Sequence, residues 1–342
     1  MIDTRYPGFI LAKVETVGPG EDNSYPRLID YPAQSRYITC GDVENTWKPG
    51  QPGSCYLFRL RKSSSYPCCA KETRIAATFE NGRDLFKGQG EEFLQFYDNT
   101  PGGRLYVKCC RRRIAEHIPL GRNIRILDVG AGIGRITIPF AADGHHLTLY
   151  DRDASMLEFA LGLLKEHGLE SKASTVQGEM SLLKHFESNI FDLVVCFSAL
   201  EHCEFPNLAI SEMVRVSKPG GRIICTASNY TARLKSAMKR RDPEAAQRVM
   251  QQGVFEDRES EKPCLVWGFR ADELWGYFTA AGAKVEWIKG ERILKMLLGD
   301  DELDNLVDSW GLDKCLDLEL NLAEDPSLAG AGEYYCLSAV KP

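Results

Sequence analysis

The sequence predicts an α/β fold with a doubly wound, mostly parallel sheet, and three observations support that prediction. From residue 124 onward, short apolar runs of strand length alternate with amphipathic stretches of helix length. A glycine-rich turn at 130–134 separates the first of these strands from the next helix. Strands joined by helices of this length pair in parallel, with helices covering both faces of the sheet. Their carboxyl ends then share one edge, where open α/β sheets bind ligands.

Seven strands are expected in this region, and helices are expected between them. The strands are 124–129, 147–150, 174–177, 191–197, 222–227, 284–294 and 334–340. The helices are 135–142, 155–167, 206–217, 269–283 and 301–322. Because a helix separates the last two strands, the final strand is free to insert antiparallel.

Composition divides the chain near residues 80–90. Residues 1–85 are rich in Pro, Gly, Ser and Tyr and contain short apolar runs, which predicts a β-rich, loop-rich extension whose role the sequence does not assign. From Gly90 the apolar residues take helical spacing, so 86–342 is expected to form the main domain. Within that domain, the many charges of 229–262 predict a helical insertion.

Charge and cysteine content limit the classes of partner. The 42 Lys and Arg residues against 48 Asp and Glu residues give a formal net charge of −6, which provides no overall attraction to nucleic acid or anionic membranes. With no long apolar run and no signal pattern at the N-terminus, we expect a soluble cytoplasmic protein with no membrane partner. Its 12 cysteines should then be reduced thiols. Cys40, Cys55 and Cys68 lack CxxC spacing, so no metal site is predicted.

The glycine turn DVGAGIGR indicates a nucleotide-like ligand. Gly130, Gly132 and Gly134 permit a tight turn and a close approach of ligand to backbone and helix N-terminus. A dinucleotide fingerprint would place a further glycine where Arg135 stands, so a nicotinamide-dependent oxidoreductase is disfavoured. Asp151, at the end of the next strand, can accept hydrogen bonds from both ribose hydroxyls. An adenosyl ligand without phosphates fits this pattern better.

Five ordered motifs between residues 124 and 227 resemble the class I S-adenosylmethionine-dependent methyltransferase family. They are ILDVGAGIG, YDRDASML, QGEM, FDLVVCFSALEH and RVSKPGGRIICTA. The resemblance implies a Rossmann-like fold, methyl transfer and S-adenosyl-L-methionine as cofactor. It implies that the backbone of Gly130, Ala131 and Gly132 faces the methionine part, with Asp128 near its amino group and Asp151 on the ribose.

The same resemblance assigns the rest of the cofactor pocket. Arg152 and Met180 should flank the adenine, and Glu179 should accept a hydrogen bond from its amino group. Phe197 and Ser198, just past the fourth strand, should line the same pocket. Arg152 and Met180 also have an ordinary interpretation, as a surface arginine and a core-filling methionine.

Three residues are candidates for positioning or activating the acceptor. His202, at the catalytic edge in FSALEH, could act as general base if the acceptor must lose a proton, or could only organise its loop. The segment FYDNTPGGRLY resembles the segment that caps the cofactor in many members of the family, which would place Tyr97 and Arg104 over the sulfonium. Arg104 could bind a carboxylate bidentately, or could be an exposed side chain of an entry helix.

The acceptor itself and the oligomeric state remain open. The first hypothesis is a small-molecule acceptor, bound by residues 1–80 and 229–262. The second is tRNA, because the layout of 90–342 is similar to bacterial tRNA methyltransferases that esterify a carboxymethoxy group on wobble uridine. The basic runs 111–113 and 239–241 would then contact phosphates. The third is a regulator that binds the cofactor without transferring methyl.

Overall fold

The computed structural model describes residues 9–15, 27–29, 55–59, 86–119, 121, 123–257 and 264–342. The chain divides into two compact units, residues 1–78 and 79–342. In the first, β1 (Phe9–Glu15) pairs antiparallel with both β2 (Arg27–Ile29) and β3 (Cys55–Arg59). Most of the N-terminal extension expected at 1–85, including Cys40 and the pair Cys68-Cys69, lies outside the described residues.

A seven-stranded sheet in the order β11-β12-β8-β7-β4-β5-β6 forms the centre of the second unit. Its strands are β4 (Arg125–Val129), β5 (His146–Asp151), β6 (Ala173–Gln177), β7 (Phe191–Cys196), β8 (Ser217–Ser228), β11 (Lys284–Glu291) and β12 (Tyr334–Val340). Pairing is parallel throughout β8-β7-β4-β5-β6, whereas β12 runs antiparallel to both β8 and β11. The prediction of a mostly parallel, seven-stranded α/β fold is confirmed, including the antiparallel insertion of the final strand.

Helices cover both faces of this sheet. They are α1 (Gly90–Asn99), α2 (Pro101–Ala115), α3 (Ile138–Ala142), α4 (Ala154–Glu166), α5 (Pro206–Val216), α6 (Tyr230–Lys239), α7 (Pro243–Gln252), α8 (Ala271–Ala280), α9 (Ile293–Leu298), α10 (Asp300–Trp310) and α11 (Leu312–Glu324), with 3₁₀ turns at Leu200–His202 and Pro326–Ala331. None of the helices in the described part of the chain is long and apolar enough to cross a membrane.

Alternate side chains of the central strands feed two apolar cores. In β7, Val194 and Cys196 join the core under α5 and α8, while Leu193 and Val195 join the core under α2 and α4. This period-two pattern, apolar on both sides, is what a parallel strand buried on both faces requires. The strands that carry the glycine turn are therefore held rigidly from both faces.

Two expected elements were wrong in the C-terminal part. The helix expected at 301–322 is two helices, because Gly311 takes φ +88° and breaks the chain direction between α10 and α11. The strand expected at 284–294 ends at Glu291, and α9 follows at once. Its first N–H groups, of Ile293 and Leu294, donate to the buried carboxylate of Glu319 at 2.6 and 2.9 Å. This capping comes from a residue 25 positions further on, which no local pattern shows.

The segment 229–262 contains helices α6 and α7, followed by a strand that the sequence did not predict. That strand, β9 (Val254–Asp257), pairs antiparallel with β10 (Cys264–Trp267). Phe255 and Val266 pack with Val249 of α7 in a small apolar core. The described part of the insertion, together with β10, therefore has a small apolar core of its own.

Candidate functional site

A cleft of about 980 Å³, including its solvent-filled mouth, lies at the carboxyl ends of β4, β5 and β7. Its floor is the glycine turn after β4, and one wall is the end of β5 with the following residues. The opposite wall is the loop after β7, and α1 with the residue Phe86 closes the top. This is the edge at which a doubly wound sheet binds its ligands.

At Gly130 the glycine turn leaves no room for a side chain. Gly130 has φ +72°, and a Cβ built there would lie 2.4 Å from the Cβ of Ala199. The N–H groups of Gly130 and Ala131 both donate to the Tyr150 carbonyl, at 2.8 and 3.1 Å. Gly132, with φ +53°, donates its N–H to Asp151 Oδ2 at 2.8 Å. These contacts fix the turn against the end of β5 and expose its backbone to the cleft.

Asp151 ends β5 and lines the cleft beside this turn. Its Oδ1 accepts the N–H of Asp153 at 2.9 Å, and its Oδ2 accepts that of Gly132. Burial raises the pKa of this carboxyl, and the two N–H groups oppose that rise. Each oxygen keeps a lone pair, so the carboxylate is held in place to accept two further hydrogen bonds from a ligand diol.

Asp128, the last but one residue of β4, is 4 % exposed and also lines the cleft. Thr137 Oγ1 donates to its Oδ2 at 2.6 Å. Burial raises the pKa of Asp128 to about 7, although the Thr137 hydrogen bond favours the ionised form. A carboxyl in this state gains from a cationic partner, because a nearby positive charge stabilises the carboxylate.

The other residues assigned to the cofactor by resemblance also line this cleft. They are Arg152, Glu179, Met180, Phe197 and Ser198. Glu179 is exposed and Phe197 is buried. The Cε atom of Met180 comes within 3.2 Å of where a Gly130 Cβ would stand, so this side chain packs directly over the glycine turn. The structure brings all these residues together; their individual roles remain predictions.

Of the three residues expected at the acceptor, the structure brings two to the cleft. Tyr97 and His202 line it. Arg104 does not, because its guanidinium donates to the carbonyls of Asp98 and Asn99 at 3.3 and 3.5 Å. It satisfies the free carbonyls at the end of α1. Capping of α1 is the contact that the structure shows for this arginine.

His202 forms part of an aromatic wall. Its ring meets Phe86 edge-on, with centroids 5.2 Å apart, and Phe86 meets Phe93 in the same way at 5.4 Å. Burial, together with the positive charges of Arg152 and Arg233, lowers the pKa of His202 to about 3. The imidazole is therefore neutral at physiological pH and is a weak proton acceptor, which argues against the general-base interpretation of His202.

Sequence reasoning missed a set of arginine contacts between α1, α2 and the glycine turn, which we call the arginine latch. Arg135, at the position where a dinucleotide fold has glycine, donates from Nε to Asp98 Oδ1 at 2.7 Å. Arg111 of α2 donates to the carbonyls of Arg135 and Ile136 at 2.6 and 3.2 Å. The sequence did carry a signal for this contact, because Arg135 is a charged residue where a dinucleotide fold has glycine. The arginine at this position was interpreted only as evidence against a dinucleotide ligand.

The backbone conformation of Ser198 is a second feature that the sequence did not predict. It has φ +48°, a conformation that is uncommon for residues other than glycine and that often occurs at functional sites. Tyr106 and Ser198 share a hydrogen bond of 2.6 Å between their hydroxyls, and the Ser198 N–H donates to Thr226 Oγ1 at 2.8 Å. The loop after β7 is therefore held through both the side chain and the backbone of Ser198.

Of the two basic runs proposed for RNA contact, the first does not form an exposed basic patch. In the first, Arg113 is 2 % exposed, with its Nε 3.9 Å from Glu291 Oε2, and Arg111 is engaged at the glycine turn. In the second, 239–241, the side chains are exposed, and the guanidinium of Arg240 lies 4.0 Å from the ring centre of Phe255. The first run therefore stabilises the fold and cannot present three cations to phosphates.

Comparison with known proteins identifies the central part of this unit. The family model described as a methyltransferase domain matches residues 127–225. A ubiquinone biosynthesis O-methyltransferase of Rickettsia canadensis is 34 % identical over 36 % of this chain and 50 % of its own length. A ubiquinone/menaquinone biosynthesis C-methyltransferase of Pectobacterium carotovorum is 34 % identical over 30 % of this chain and 42 % of its own. This chain thus spans about half the length of the curated relatives it matches, or less.

A solved structure supports the fold over a longer stretch. Magnesium protoporphyrin IX methyltransferase from Synechocystis PCC 6803, crystallised with bound SAH, superposes with a TM-score of 0.51 at 14 % identity. The superposition covers 77 % of this chain and 99 % of that one. At this identity the likeness extends to the fold only.

Proposed function

We propose that this chain, which belongs to the class I S-adenosylmethionine-dependent methyltransferase family, transfers the methyl group of S-adenosyl-L-methionine to a small-molecule metabolite. The single observation that carries the proposal is the floor of the cleft, where side-chain-free backbone, the buried carboxylate of Asp128 and the half-buried carboxylate of Asp151 face the same space. Asp151 suits a ribose diol, and Asp128 suits the cationic amino group of an amino acid.

The cleft fits this cofactor better than a dinucleotide. A Cβ at Gly130 would collide with Ala199, so only bare backbone leaves space there for a ligand. Arg135 ties its guanidinium to Asp98, and the described loop offers no glycine-lined cradle beyond it for a pyrophosphate. We assign the cofactor to this floor, with Arg152, Glu179, Met180 and Phe197 around its adenosyl part.

When bound, the cofactor supplies a sulfonium methyl group that undergoes in-line displacement by a nucleophile. What the chain contributes is binding, alignment and exclusion of water. Asp151 would hold the ribose and Asp128 the ammonium group of the methionine part, and the glycine turn would limit how deep the cofactor sits in the cleft. Phe86, Phe93 and Tyr97 cover the mouth and keep water from the reacting atoms.

A small-molecule acceptor is favoured by the walls of the cleft. The top and the His202 side are aromatic, and Arg111 and Arg113 of the basic run 111–113 are engaged within the fold. The relatives that match this chain include enzymes named for O- and C-methylation in quinone biosynthesis. We place the activity in the cytoplasm, since buried cysteines such as Cys109, Cys196 and Cys336 form no disulfide, as suits a reducing compartment.

Two measurements test this function. Calorimetry with S-adenosyl-L-methionine and with NAD should show binding of the former alone. Labelled cofactor incubated with the protein and with cell extract, split into RNA and small-molecule fractions, should label the small-molecule fraction. Binding of NAD alone would contradict the cofactor assignment, and label confined to RNA would contradict the acceptor class.

Replacing Asp151 by Ala tests the placement of the ribose. The variant loses a charged acceptor of two hydrogen bonds, each contributing about 1.5–3 kcal/mol, so the affinity for the cofactor should fall by at least about tenfold. Asp143→Ala, an exposed aspartate in the same unit, is the matched control and should bind normally. An unchanged affinity of Asp151→Ala would show that the ribose lies elsewhere.

A further inference from the structure

Aromatic rings line the top of the cleft and the side opposite the end of β5. They belong to Phe86, Phe93, Tyr97 and His202, and we call these four residues the acceptor wall. Each side chain is half-buried, so part of its surface stays open. In the function proposed above the cofactor takes the floor, so the acceptor wall borders the space that is left for the acceptor.

The rings of the acceptor wall are arranged around Phe86. Its ring meets those of Phe93 and His202 edge-on, at 89° in both pairs, with centroids 5.4 and 5.2 Å apart. The rings of Phe93 and Tyr97 lie 6.1 Å apart at 55°. Rings that cross at such angles offer both edges and faces, which are the two surfaces that attract a further aromatic ring. A saturated ring would gain only the burial of apolar surface.

Packing behind the acceptor wall holds its rings in place. Phe86 also packs against the small core that the insertion shares with β10. The ring of Tyr97 stacks on that of Tyr106, a buried residue of α2, at 6.3 Å and 28°. Beside the 3₁₀ turn, Trp267 Nε1 donates to the carbonyl of Cys203 at 2.9 Å and so ties the end of this turn to β10. A wall held in this way is preorganised, so little affinity is lost in ordering it.

All four rings of the acceptor wall are uncharged at physiological pH. Burial and the positive charges of Arg152 and Arg233 lower the pKa of His202 to about 3, and burial raises that of Tyr97 to about 12. An ionic group at this wall would lose its hydration without gaining a counter-charge from the four rings. Aromatic rings can bind cations, but the two arginines would repel a cation at His202. These charges favour a neutral ring over a cationic group.

We propose that the acceptor is a neutral aromatic metabolite, whose ring binds against the acceptor wall above the cofactor floor. This inference rests on the proposed function and deepens it by naming the acceptor class. Phe86 and Phe93 are then specificity-determining residues, because they select a ring through edge and face contacts that a saturated molecule cannot make. The wall also orients the ring, so that its nucleophilic atom meets the methyl group.

Three probes of the protein loaded with SAH test this assignment. 1-Naphthol has a neutral aromatic ring system, 1-decalol is its saturated counterpart, and tetramethylammonium is a cation of the kind that aromatic cages bind. Fluorescence titration should show binding of 1-naphthol. 1-Decalol should displace it with an affinity at least about tenfold lower, because it lacks the ring contacts. Tetramethylammonium should not displace it.

Replacing one ring of the acceptor wall should weaken this preference. Phe93→Leu keeps an apolar side chain, so the preference for 1-naphthol over 1-decalol should fall about threefold or more. Phe96→Leu is the matched control, because Phe96 lies on the same helix and contacts Tyr97 but does not line the cleft. It should keep the wild-type preference. If Phe93→Leu does not fold, Phe86→Leu removes a different ring of the wall and should have the same effect.

Inhibition of methyl transfer shows whether 1-naphthol occupies the position of the acceptor. The assay uses labelled S-adenosyl-L-methionine and the small-molecule fraction of cell extract. 1-Naphthol should lower the labelling of that fraction, either as an inhibitor or as a competing acceptor. More of the fraction should relieve this effect, whereas more S-adenosyl-L-methionine should not, because the two ligands bind side by side.

Four results would overturn the inference. They are no binding of 1-naphthol, equal affinity for 1-naphthol and 1-decalol, displacement by tetramethylammonium, and binding of 1-naphthol that leaves methyl transfer unchanged. In each case, cofactor binding and a labelled small-molecule fraction would leave the proposed function standing. A protein that binds neither S-adenosyl-L-methionine nor SAH would instead contradict the proposed function itself.

Discussion

At the scale of single residues, Asp128 links cofactor binding to protonation. Its pKa of about 7 in the free protein comes from burial, and the cofactor's ammonium group would favour the carboxylate. Cofactor binding should therefore release up to one proton near pH 6.5, and affinity should fall by up to about tenfold per pH unit below the pKa. Calorimetry in buffers of different ionisation enthalpy measures the released proton directly.

Two variants test whether Asp128, and not another titrating group, releases the proton when the cofactor binds. Asp128→Asn should bind more weakly and without proton release. Thr137→Val removes the hydrogen bond that favours the ionised form, so the pH midpoint should move upward while proton release persists. Proton release from Asp128→Asn equal to that of the wild type would assign the linkage to a different group.

At the scale of secondary structure elements, the contact of α1 with the glycine turn should set how long the cofactor stays bound. Asp98 on α1 holds Arg135, and Arg111 on α2 holds the carbonyl of the same residue. Since α1 also provides Phe93 and Tyr97 to the top of the cleft, loosening it should open the site. The residues of this ion pair are partly exposed, so its contribution to stability is expected to be modest.

A double-mutant cycle tests the latch. Asp98→Ala and Arg135→Ala should each raise the dissociation rate of S-adenosyl-L-methionine by about 2–10-fold, and the double variant should be no faster than either, because both remove the same contact. Stopped-flow displacement by SAH measures these rates. Glu91→Ala, an exposed residue of the same helix, is the control. Additive effects of the two substitutions would show that the residues act separately.

At the scale of the whole molecule, buried titratable groups determine how stability depends on pH, with three carboxyls acting in one direction and His202 in the other. Burial raises the pKa values of Asp128, Glu201 and Glu291 to about 7 from ordinary values of 3.8 and 4.5. A carboxyl with a raised folded pKa contributes stability that is complete below its unfolded pKa and is lost as pH rises through the folded pKa. Carboxyls with lowered pKa, such as those of Asp192 and Glu286, lose their contribution only in more acid solution.

The ligand-free protein should therefore be more stable in mild acid than at neutrality. We expect Tm to fall by roughly 5–10 °C between about pH 5 and pH 7, measured by calorimetry at constant ionic strength. Glu291→Gln should flatten part of this decline, because it removes one of the three titrations without touching the cleft. A Tm that rises across this interval would contradict the prediction, because it would mean that the opposite contribution of His202 outweighs that of the three carboxyls.

The sequence by itself determined the sheet, the edge at which the cleft lies and most of the residues that line it. Alternating apolar runs, the glycine turn and Asp151 are local signals, since each depends on residues within one strand-turn-helix unit. The wrong predictions of secondary structure arose where residues distant in the chain determine it. Glu319 caps α9 and so ends the preceding strand. The pairing of β9 with β10 depends on the core that they share with α7.

Only the tertiary structure decided which charged residues are available to bind a ligand or accept a proton. Arg104 and Arg111 appear in the sequence as cations free to bind a ligand, yet neighbouring carbonyls engage both. His202 appears to be a base, but burial and the arginines at 152 and 233, far apart in the chain, keep it neutral. Burial and electrostatic potential are sums over groups from many elements, so they exist only once the chain has folded.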